Sequence, residues 1–148
     1  MKRLALLSVF AISATSFVER SNTKPFNPLL GETYEYIHPN YKYFAEQVSH
    51  HPPITAVYLE GNSGFRLWSN IRPKTKFTGK NLQFHPTYKF YIELDSTGEK
   101  FELSQAYLSV HNLIIGTPYV DLGGKAYIKN LNIPDEHCEL EFYHRGWT

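Results

Sequence analysis

The stretch YKYFAEQVSHHPPITAVYLEGNSGFRLWSNIR, residues 41–72, decides how this chain folds. YKYFAEQVS (41–49) reads as a strand that ends at Pro52 and Pro53, because proline withdraws a ladder donor. ITAVYLE (54–60) is a second strand, and EGNSG (60–64) is the hairpin turn that follows it. FRLWSNIR (65–72) is a third strand, alternating apolar and polar residues at the two-residue period of a half-buried sheet. Inside this run His50 stands next to His51. A regular strand sends neighbouring side chains to opposite faces, so the pair is either an accident at a strand end or serves one site. The reading that unites them breaks the strand at Ser49 or His50. The two prolines then stop the ladder and leave both imidazoles at a rim.

The same rhythm extends in both directions. TYEYI (33–37) alternates before an HPN turn (38–40). Downstream come KTKFTGK (74–80), NLQFH (81–85), YKFYIEL (88–94), KFELSQ (100–105), YLSVHNLIIG (107–116), YVDLGGKAYIKNL (119–131) and CELEFYHRG (138–146). Short strands with turns every eight to twelve residues indicate an antiparallel meander, as a barrel or a sandwich. The fold class expected is mainly β, with one helix at the N-terminus. Residues 3–16 lack Gly and Pro and suit a helix with apolar residues on most sides. On composition alone the same residues also suit a secretory signal peptide. The apolar run is too short to span a membrane, which takes roughly 20 residues.

The totals narrow the function. With 148 residues the chain fits one domain, and 15 basic against 14 acidic residues leave a formal charge of +1. That balance speaks against general nucleic-acid binding. Eleven Tyr and ten Phe favour strands. The single cysteine, Cys138, rules out an intrachain disulfide framework and argues against a Cys-based zinc site.

Two segments carry polar chemistry. In KPFNPLLGE (24–32), Pro25 and Pro28 stiffen the backbone around Lys24 and Asn27, and Gly31 allows a conformation closed to other residues. A lysine charge and an asparagine amide on a stiff loop make a plausible phosphate cradle, or simply a proline-rich connection. Glu32 can hold that loop by hydrogen bonding. In EQVSHHPP (46–53) two imidazoles can donate to an anion. The adjacent histidines have no partner His or Cys at a zinc-site spacing, so no metal is assigned. An enzyme with His50 or His51 as general base needs an oriented nucleophile and a carboxylate. Ser49 and Glu46 are near only in sequence.

Taken together, KPFNPLLGE and EQVSHHPP, with Gly31 and Glu46 fifteen residues apart, closely resemble the oxysterol-binding protein family. EQVSHHPP is that family's fingerprint, and all eight residues are present. KTKFTGK and YVDLGGKAYI are similar to its barrel strands. The resemblance implies a β-barrel around a hydrophobic tunnel holding a sterol or phosphatidylinositol 4-phosphate. It places Lys24, Asn27, His50 and His51 at the lipid headgroup and assigns Glu46 and Gln47 no contact. It also implies a non-enzymatic, cytoplasmic carrier without a cofactor that touches membrane surfaces transiently, and it turns residues 3–16 into a structural helix. Residues 1–148 then correspond to part of the lipid-binding domain, lacking a preceding lid and a later segment with further headgroup ligands. A transfer-incompetent membrane-surface or protein-binding piece is the alternative.

Overall fold

The computed structural model describes Leu7 and residues 27–143. Eleven strands run through the described residues. They are β1 (Thr33–His38), β2 (Tyr41–His50), β3 (Pro53–Gly61), β4 (Phe65–Ile71), β5 (Pro73–Phe77), β6 (Leu82–Pro86), β7 (Phe90–Leu94), β8 (Glu99–Leu103), β9 (Tyr107–His111), β10 (Tyr119–Asn130) and β11 (His137–Phe142). Every pairing is antiparallel.

The branched strand order hides a simple meander. β4 faces β7 and β5 faces β6 in one unbroken register, with Phe65 opposite Leu94 and Phe77 opposite Leu82. These four strands are one long hairpin, bent where Arg72 and residues 87–89 leave the ladder. β8 and β9 form the next long strand. It slips by one residue at the same level, with Phe90 opposite Leu103 but Phe84 opposite Leu108. β10 runs the full length beside them, and β11 covers its other edge, so that Ile128 lies between Leu103 and Cys138. Among the described residues β1 and β11 are each paired on one side only.

Alternation builds the core. Leu59, Leu67, Ile92 and Phe101 are consecutive cross-strand partners, as are Phe90, Leu103, Ile128 and Cys138. Leu67, Ile92, Phe101, Leu103 and Ile128 are buried there, with Leu140 and Leu7 packed against them. The opposite face is charged: Arg66 meets Asp95 at 3.0 Å and Glu93 at 3.6 Å, and Lys100 meets Glu93 at 3.7 Å. These exposed pairs contribute little individually. They mark which face meets water.

Cys138 lies half-buried against the core in β11. The helix expected over 3–16 lies outside the described residues, apart from the packing of Leu7. Several strands are shorter than their sequence runs: 88–94 pairs only from Phe90 and 100–105 only to Leu103. YLSVHNLIIG leaves the sheet after His111, because Asn112 takes φ 58° and Gly116 takes φ 98°. The Asn112 amide Nδ2 donates to the Thr117 carbonyl at 3.1 Å and closes a loop there. Asparagine tolerates the left-handed region because its side chain bonds locally.

Candidate functional site

β2 is disturbed before its end. Its pairing with β3 slips between Gln47 and Ser49, leaving Val48 as an extra residue, a β-bulge. Gln47 holds both sides of the irregularity. Its buried amide donates from Nε2 to the Ser49 carbonyl at 2.9 Å and accepts at Oε1 from Thr55 Oγ1 at 2.6 Å. Its backbone also anchors the preceding loop. Gln47 N–H donates to the Glu32 carbonyl at 3.0 Å, and Gly31 N–H donates to the Gln47 carbonyl at 2.8 Å. Glu32 closes the turn, its Oε2 accepting from Leu29 N–H at 2.7 Å, with Gly31 at φ 78°. The turn that carries Asn27 and Pro28 is thereby docked three residues upstream of His50.

β2 then ends at His50, which sits opposite Pro53. His51 and Pro52 make the turn, and the peptide between them is cis, as in a type VI turn. The prolines therefore reverse the chain instead of stopping the sheet, since Pro53 opens β3. The reason is that a two-residue turn needs no ladder donor from Pro52. The tight turn brings the rings of His50 and His51 to 4.5 Å between centroids, tilted by 59°. Both are exposed.

Asn27, His50 and His51 line one cleft of about 790 Å³ together with Lys74, Gln47 and Thr55. Lys24, the fourth residue read from sequence, lies outside the described residues. No carboxylate is among the described residues lining this cleft. Its apolar lining includes Pro73 and Phe84, which also border a second hollow of about 280 Å³ at the strand bend, beside Ala106 and Leu108. Tyr88 faces that hollow. Burial pushes its phenol pKa up, and its hydroxyl donates to Gln105 Oε1 at 3.0 Å. A donor-rich cleft that adjoins an apolar hollow suits an amphipathic, anionic ligand. Among the described residues no three His, Cys, Asp or Glu side chains converge as a metal site.

Two features escaped the sequence reading. Lys74 comes from β5, where it pairs with His85, and no local motif links it to the histidines. Gln47 sits inside the fingerprint, yet its role depends on Thr55 across the hairpin. Replacing Gln47 by leucine is expected to cost about 1–3 kcal/mol, because Thr55 and the Ser49 carbonyl lose their partner. A lowered urea midpoint at unchanged slope would show it.

Comparison with known proteins follows the same lines. The sequence profile described as "Oxysterol-binding protein" matches residues 1–148. Oxysterol-binding protein-related protein 3 of Mus musculus is 40% identical over 145 residues, which is 96% of this chain and 17% of that protein. Oxysterol-binding protein-related protein 2 of Mus musculus is 39% identical, over 96% of this chain and 30% of that protein. The Osh1 ORD domain crystallised with ergosterol superposes with a TM-score of 0.87 at 35% identity, covering 97% of this chain and 35% of that one. The Osh3 ORD of Saccharomyces cerevisiae in complex with PI(4)P superposes at 0.80 and 32% identity, covering 86% and 35%. The chain thus spans about a sixth to a third of the length of these proteins.

Proposed function

The chain belongs to the oxysterol-binding protein family, and from that premise we propose that it binds and exchanges membrane lipids, with phosphatidylinositol 4-phosphate and sterol as the candidates. The headgroup phosphate sits between Asn27, His50 and His51, with Lys24 contributing from the preceding segment. The apolar part of the lipid extends towards the hollow at the strand bend. The observation that carries this reading is the histidine pair, 4.5 Å apart on a cleft shared with Asn27 and bordered by apolar side chains. Each ring and amide offers an N–H donor to a phosphomonoester, and donors to a charged acceptor are the stronger kind. The reading involves no turnover chemistry, no cofactor and no nucleic acid. It places the protein in the cytoplasm, in passing contact with membranes. Among the described residues no helix is long and apolar enough to cross one.

A second reading keeps headgroup binding but not transfer. Among the described residues β1 and β11 are each paired on one side only, and an open sheet edge favours surface contact over enclosure of a whole lipid. One assay separates the two. The protein is mixed with vesicles carrying labelled phosphatidylinositol 4-phosphate or labelled sterol, and the lipid left in the supernatant after the vesicles are spun down is counted. Extraction of either lipid supports the carrier. Headgroup binding without extraction supports the second reading. Neither binding nor extraction removes both.

A further inference from the structure

We propose that the paired tips of the β5–β6 and β9–β10 hairpins form a docking surface for an anionic lipid bilayer, at the end of the sheet where the histidine cleft opens. The orientation rests on reading that cleft as a headgroup site; the surface itself rests on separate observations. Phe77, Leu113, Ile114 and Ile115 are all exposed, Ile114 at 70% and Ile115 at 84%. Single exposed aliphatics are ordinary, but four on two joined tips form a patch. The tips are joined by the Leu113 N–H, which donates to the Lys80 carbonyl at 3.2 Å.

The loop that carries the aliphatics is built, not slack. Asn112 at φ 58° and Gly116 at φ 98° bracket Leu113–Ile115, and the Asn112 amide closes on Thr117. A Cβ on Gly116 would come within 3.2 Å of Asn112 Nδ2, so the closure also needs that glycine. A loop fixed in this way presents its apolar side chains with little further loss of conformational freedom.

Charge and position choose the partner. Residues 73–82 and 111–118 contain Lys74, Lys76 and Lys80 and no Asp or Glu, and all three lysines are exposed. Exposed apolar residues with lysines on the adjoining hairpin match the interfacial zone of an anionic bilayer. Thr55 pairs with Ile71, so β5, which follows β4, runs on beyond the level of the His51–Pro52 turn. Lys74 already lines the histidine cleft. A membrane that offers a headgroup to that cleft therefore meets the tip as well.

The test uses the full chain and flotation with phosphatidylcholine vesicles, with or without phosphatidylserine and without any phosphoinositide. The protein is expected to float with the phosphatidylserine vesicles. Ile114→Ser with Ile115→Ser should lower that partition by about tenfold or more. Lys76→Glu and Lys80→Glu should each lower it by about fivefold, with the lysine effect fading in high salt. A tryptophan placed by Ile115→Trp should be quenched by brominated lipid beyond the quenching of the unmodified chain. A water-soluble phosphoinositide headgroup should bind the tip variants as it binds the parent, which also shows that they fold. Absence of flotation, flotation unchanged in the Ile114/Ile115 double variant, or no added quenching in the Ile115→Trp variant would overturn the proposal. So would self-association that the double variant abolishes, which would make the tip a protein contact. Loss of headgroup binding with flotation intact would count against the cleft alone.

Discussion

Replacing His50 and His51 together by alanine is expected to weaken phosphatidylinositol 4-phosphate binding by about 100-fold while sterol binding changes little. In the proposed site each imidazole would supply a hydrogen bond to a charged phosphate, worth about 1.5–3 kcal/mol net, and every 1.4 kcal/mol is about tenfold in affinity. The rings lie 4.5 Å apart, close enough to address one phosphate, so removing one leaves the other to compensate in part. The double variant should therefore exceed either single change. Both side chains are exposed and neither belongs to the core, so the fold should tolerate their loss. Sterol binding is the internal control, since a misfolded variant would lose both lipids together. Equal phosphoinositide binding by the parent and the double variant would remove the histidines from the site.

The second large effect concerns the sheet itself. Phe101→Ala is expected to lower stability by about 3–5 kcal/mol, the usual cost of emptying a buried phenyl site. Phe101 is 0% exposed and packs with Leu67, Ile92, Leu103 and Ile128. It pairs with Ile92 on β7 and with Asn130 on β10, so one side chain ties three strands of the meander. Against a typical total of about 5–15 kcal/mol, the loss leaves a marginal fold. Urea denaturation should show a much lower midpoint, and both lipids should be lost in proportion to the unfolded fraction. Phe101→Leu keeps most of the volume and should cost less than about 1.5 kcal/mol. A Phe101→Ala variant as stable as the parent would mean that the core lies elsewhere.

The meander was legible because alternation is local. YKYFAEQVS, ITAVYLE and FRLWSNIR each alternate about one more buried face, TYEYI alternates although its residues are exposed, and turn residues separate them. What alternation could not give was the bend common to β4–β5, β6–β7 and β8–β9, because it is a matter of three strands breaking ladder at one level. The apolar run LII after His111 looked like more strand. Its exit was decided by Asn112 and Gly116, whose side-chain closure and positive φ carry no period. At the site, the break near His50 was readable from the prolines, but the bulge at Val48 depends on Gln47 reaching Thr55. Glu32 was correctly read as a holder of its own loop. Lys74 was missed because it reaches the cleft from a strand that no motif ties to EQVSHHPP.

If His50 and His51 share one phosphate, their rings report the same binding event. Both ring nitrogens of each histidine can be followed by nitrogen-15 NMR while a short-chain, water-soluble phosphatidylinositol 4-phosphate is added at fixed pH. The account predicts that the His50 and His51 signals shift together, along one binding curve, with His85 and His111 little changed, and that unphosphorylated phosphatidylinositol shifts them far less. Signals of His50 and His51 that stay in place, or that follow two different curves while the ligand binds, would contradict it.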